Sequence, residues 1–151
     1  KVPLAKTYDE LDEEFKEKIT KIADNVEEEI EKIELNRGLK RILEFSTFCN
    51  QYFQRKQPWT GGDKADTCLY LCINAVRVLC ILLEPYLPFS AEDLWKQLNL
   101  KGEVHSQNWD AASKLALKSG HVINEPKILF RKVEDAVIEK EKEKLAKLEA
   151  R

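Results

Sequence analysis

Residues 68–83 read CLYLCINAVRVLCILL, an apolar run broken only by Asn74 and Arg77. A helix that is apolar on most sides must be surrounded by other structure. The run predicts a helix over residues 63–84 at the centre of a helical bundle. Its two polar residues argue against a membrane span, which needs a long uncharged stretch. Arg77 is then expected at the helix's one wet edge or beside an acidic partner, because an unpaired buried charge is costly.

The segments on either side supply the rest of the bundle. Residues 9–34 place Leu11, Phe15, Ile19, Ile22, Val26, Ile30 and Ile33 three or four apart, one apolar stripe on an otherwise charged helix. Acidic residues fill its first turn, where the helix dipole favours them. Residues 36–57 form a second amphipathic helix with a wider apolar face, stopped by Pro58. The short connection between these two helices implies an antiparallel hairpin. After the central helix comes the turn EPYLPFS, then a short helix expected to be capped by Ser90, with Asp93 three residues on. Residues 100–126 read as irregular, with one short helix expected over residues 110–117. A last helix is expected from residue 129 or 132 to the end. The fold class is all-α, an antiparallel helical bundle in one domain. Its core spans about residues 8–140, and residues 141–151 form a charged helical tail.

The 151 residues include 43% apolar and 34% charged side chains, with only 5 Gly and 5 Pro, a balance that suits such a bundle. The net charge of −2 is unevenly spread: −6 over residues 1–35, +4 over 36–64, −2 over 65–125 and +2 over 126–151. A local basic patch therefore surrounds residues 50–59, but the chain as a whole is no polycation. Cys49, Cys68, Cys72 and Cys80 form no CxxC pair, and His105 and His121 lie far along the chain. They read as buried free thiols in a reducing, cytoplasmic setting, and no metal site is expected. No Gly-rich phosphate loop and no Ser-His-Asp or Cys-His pairing is present, so no catalytic residue is expected. No signal peptide is visible, and the chain starts at Lys1 without any Met, which reads as a piece of a longer protein.

Three segments carry a family likeness. CNQYFQRKQPW, residues 49–59, resembles the N-x-Y…P-W element of class I methionyl-tRNA synthetases, in their C-terminal helical anticodon-binding domain. EPYLPFSAEDLWKQLNL, residues 84–100, resembles the family's next element, and GHVINEPKILFRKVEDAVIEK, residues 120–140, resembles its closing segment. The Pro-Trp element is shared with the valine, isoleucine and leucine enzymes, and the closing segment favours methionine.

The resemblance implies roles for particular residues. Trp59 matches the tryptophan that packs on an anticodon base, and aromatic stacking on unpaired loop bases is a common way to read RNA. Asn50 is carried to the anticodon site as a residue that orders the helix end. Arg55 and Lys56 are candidate phosphate contacts by charge and proximity alone. The family's main hydrogen-bonding readers lie on an upstream helix outside this sequence. The catalytic domain, with its ATP site and any zinc-binding insertion, lies outside it too, so the chain alone is expected to be inactive. The expected partners are the tRNA anticodon stem-loop and the enzyme's own catalytic domain, with no DNA and no membrane. A reading of a different class makes the bundle a protein-interaction module, with Trp59 in its core. The solvent exposure of Trp59 separates the two.

Overall fold

The computed structural model describes residues 1–149. Among them are five α-helices, three short 3-10 turns and no strand: α1 Glu10–Glu31, α2 Leu35–Lys56, α3 Asp63–Leu83, α4 Pro88–Gln97 and α5 Asp135–Glu149. Helices α1 and α2 form the expected hairpin, and both pack on α3, which also receives α4. The all-helical class and the central place of the apolar helix match the sequence reading.

The stripe on α1 is the core-facing side, with Phe15, Ile19 and Val26 fully buried, but Ile33 falls past the helix end, in a left-handed turn that leaves it exposed. Phe15 stacks on Tyr52 of α2 with ring centroids 3.9 Å apart. Asp9 caps α1 in a reciprocal box: its carboxylate accepts from Asp12 N at 3.1 Å, and Asp12 accepts from Asp9 N at 2.9 Å. Two helix N–H groups that would otherwise lack partners are satisfied this way.

By length and composition α3 could cross a bilayer. Its surroundings explain the apolarity instead, since Cys68, Leu71, Val78 and Leu82 are enclosed by neighbouring helices. The two polar residues of α3 hold the irregular return of the chain. Asn74 donates to Leu117 O and accepts from Leu117 N, at 3.2 and 2.9 Å, as a strand neighbour would. Arg77 corrects the expectation of a wet edge or an acidic partner. It is 6% exposed, donates to Ala111 O and Lys114 O at 2.8 and 3.3 Å, and stands over the Trp95 ring. Burial depresses its pKa, but carbonyl oxygens and an aromatic face replace the missing carboxylate.

Two more expectations are corrected here. Helix α4 begins at Pro88, with no side-chain cap at Leu87, so Ser90 lies inside the first turn. Proline suits the first helical position because its missing N–H would have no helical partner there. The helix expected over residues 110–117 is a 3-10 turn, Trp109–Ser113, whose Trp109 Nε1 donates to Ala23 O of α1. Trp95 is buried and Trp109 is half-buried, so both are packing residues. The four cysteines are free thiols.

The closing segment ties itself to the end of α4. His121 Nε2 donates to Leu98 O, Asn124 N to Gln97 O, and Asn124 Nδ2 to Lys96 O, at 2.7, 2.8 and 2.7 Å. The first two bonds satisfy the Leu98 and Gln97 carbonyls that the helix end leaves open, while Lys96 O already accepts from Asn99 N. Helix α5 starts later than expected, at Asp135, and leaves Val137, Ile138 and Leu145 exposed. The last two residues of the expected tail, 150 and 151, lie outside the described residues.

Candidate nucleic-acid interface

The corner after α2 decides whether Trp59 is reachable. Gln57 takes a left-handed conformation at φ 46°, and its N–H returns to Phe53 O. Pro58 then buries its ring and opens a 3-10 turn, Pro58–Thr60. Gly61 and Gly62 follow at φ 78° and 85°, where a side chain would be strained, and they redirect the chain into α3. The indole of Trp59 is thereby displayed outward, at 61% exposure. Its inner side rests on Phe53, with centroids 5.9 Å apart at 59°. A ring supported on one side and open on the other is a ready-made stacking platform.

The other residues singled out in the sequence fall around it in different ways. Asn50 lies on α2 one turn before Phe53, on the same face, with an exposed side chain that makes no hydrogen bond among the described residues. Arg55 is exposed and makes no ion pair among the described residues. Asn50 therefore presents a free polar group on the Phe53 side of α2, and Arg55 presents an exposed charge in its last turn.

Lys56 is a correction. Its side chain is 5% exposed, and its Nζ sits 2.8 Å from Asp9 Oδ2 and 2.8 Å from Asp12 Oδ1 on α1. A lysine enclosed by two carboxylates is not offered to a phosphate. Burial works against its charge, but the bonds to Asp12 and Asp9 outweigh burial and raise its pKa. Tyr52, one turn earlier on α2, donates its hydroxyl to Asp12 Oδ1 at 2.6 Å; burial, with that bond, pushes its pKa up. The sequence reading missed Asp9 and Asp12. The signal was present in the Asp-x-x-Asp spacing that opens α1 and the Tyr52–Lys56 i,i+4 pair on α2.

The hydrogen bond from Lys56 holds the Asp9 carboxyl below its ordinary value of 3.8. A carboxyl whose pKa is lowered by folding adds stability above its unfolded pKa and loses it as pH falls through the folded value. Asp9 is therefore expected to titrate below 3.8, and Lys56→Met should move its midpoint up toward that value. Carboxyl-detected NMR titration measures both.

Comparison with known proteins gives the family of the whole bundle. A family model described as the anticodon-binding domain of tRNA ligase matches residues 12–149. The chain belongs to that family. The methionine–tRNA ligase of Methanosphaera stadtmanae is 35% identical across 99% of this chain, and that of Methanobrevibacter smithii is 38% identical across 97%. The chain spans 24% and 22% of the lengths of these two relatives. The free-state crystal structure of Mycobacterium tuberculosis methionyl-tRNA synthetase superposes with a TM-score of 0.79 at 21% identity, over 88% of this chain and 28% of that one. That likeness establishes the helical fold. Within this family fold, the corner at residues 57–62 joins the end of one bundle helix to the start of another.

Proposed function

We propose that the chain is the anticodon-binding part of a methionyl-tRNA synthetase, and that Trp59 stacks on a base of the anticodon loop. The supporting observation is the 61% exposure of Trp59 on an anticodon-binding fold. A tryptophan in the core of an interaction module would be enclosed, as Trp95 is. The names carried by the relatives support methionine over valine, isoleucine or leucine. In this reading the chain holds the anticodon so that the acceptor end meets a catalytic domain elsewhere in the enzyme. That domain joins methionine to tRNA with ATP, and carries any zinc. The setting is the cytoplasm.

Asn50 lies beside the platform and helps to order the loop that reaches it. Arg55 contacts a phosphate. Binding to fluorescently labelled anticodon stem-loops, followed by anisotropy at low salt, tests the reading. A CAU loop should bind more tightly than a CAC loop, with affinity falling steeply as salt rises. A preference for CAC would reassign the chain to a sibling enzyme, and equal binding of both would remove anticodon recognition. For Arg55→Ala, the slope of log affinity against log salt should shrink by about 0.7, the contribution of one single-strand phosphate contact.

A further inference from the structure

We propose that Lys56, clasped between Asp9 and Asp12, is the positioning residue for the Trp59 ring. The inference rests on the reading of Trp59 as the stacking platform and adds how the ring is held there. The Trp59 ring is mostly open, its aromatic neighbour is Phe53, and the turn that carries it packs on α3. Its position follows from where α2 ends. Lys56 is the last residue of α2, three before Trp59, and its ammonium is fixed by two carboxylates from the first turn of α1 and the residue capping it.

The clasp is built on both sides. Asp12 has a 2% exposed side chain and accepts at once from Lys56, from the Tyr52 hydroxyl and from Asp9 N. Two side chains one turn apart on α2 therefore end on a single carboxylate, which the capping box holds in orientation. The N-terminal segment is tied to α3 as well: Lys6 Nζ meets Asp63 at 2.6 Å, and Lys6 N donates to Thr67 Oγ1 at 3.3 Å. The chain before α1, the end of α2 and the start of α3 thus converge at the turn that bears the ring. A cation that faces inward to carboxylates contributes nothing to a phosphate, yet its loss frees the last turn of α2 and the strained Gln57 link beyond it. Removing one partner of a buried ion pair also leaves the other charges uncompensated.

The test compares Lys56→Met, Lys56→Arg and wild type in two measurements. The first follows the Trp59 indole N–H by NMR in the free protein, so it does not depend on RNA binding. Lys56→Met should shift and broaden the Trp59 resonance while those of Trp95 and Trp109 stay in place, and Lys56→Arg should restore much of the wild-type shift. The second measures affinity for the CAU stem-loop against salt. Lys56→Met should weaken binding by up to about 5- to 140-fold, the range of one lost stacking contact, with the salt slope unchanged. A slope smaller by about 0.7 would mark Lys56 as a phosphate contact and overturn the proposal. An unmoved Trp59 resonance in folded Lys56→Met would overturn it too. Should Lys56→Met fail to fold, Tyr52→Phe removes only a hydroxyl from the same carboxylate, and it must move Trp59 in the same direction for the proposal to stand. If no stem-loop binds wild type, the anticodon reading fails, while the indole measurement still decides what positions the ring.

Discussion

Replacing Trp59 with alanine is expected to weaken binding of the CAU stem-loop by about 5- to 140-fold and to leave the fold intact. Stacking on an aromatic ring is worth about 1–3 kcal/mol per base, and each 1.4 kcal/mol is tenfold in affinity. The ring is 61% exposed, so little buried surface is lost with it. Pro58, which is buried, and Gln57, whose N–H bonds to Phe53 O, keep the turn in place. The urea midpoint should therefore stay close to wild type while affinity drops. Isothermal titration and urea unfolding of the same variant separate these effects. A large loss of stability with no loss of affinity would return Trp59 to a packing role.

The second large effect is expected at Asn74, far from the platform in function but central to the bundle. Its amide makes three bonds: to Leu117 N, to Leu117 O and to Tyr70 O. Asn74→Ala leaves both backbone groups of Leu117 without their partner, in a buried position. Each orphaned group costs about 1–3 kcal/mol. The irregular segment around residues 109–117 should loosen first, because Asn74 and Arg77 are its side-chain anchors from α3. Urea unfolding gives the stability loss, and hydrogen exchange at Leu117 N locates it. A loss well below 1 kcal/mol, or unchanged protection of that amide, would contradict this role.

Much of the bundle could be read from the sequence because α1 and α2 each carry one helical stripe and the apolar run of α3 is too long for an ordinary strand. The stripe from Phe15 to Val26 and the apolar run of residues 68–83 each have one helical solution. The Pro-Trp corner was legible for a similar local reason, since Pro58 must end α2 and two glycines free the chain to turn. What the sequence hid was long-range pairing. Arg77 finds carbonyl oxygens 34 and 37 residues away instead of an acid. Lys56 finds carboxylates 44 and 47 residues away. Composition marks residues 36–64 as basic but cannot say which cation turns inward. Arg55 and Lys56 are neighbours of like charge, and only the fold shows that one faces solvent while the other closes a buried network. Residues 100–126 were legible as irregular, but the contacts that hold them were not, because side chain-to-backbone bonds leave no period in the sequence.

The central claim is that the Trp59 ring meets the anticodon. Its most direct test is an NMR titration of the protein with CAU and CAC stem-loops, with the three indole N–H resonances resolved. CAU should move the Trp59 resonance at saturation while Trp95 and Trp109 stay nearly fixed, and CAC should move Trp59 less. Saturated binding of CAU with an unmoved Trp59 would contradict the account.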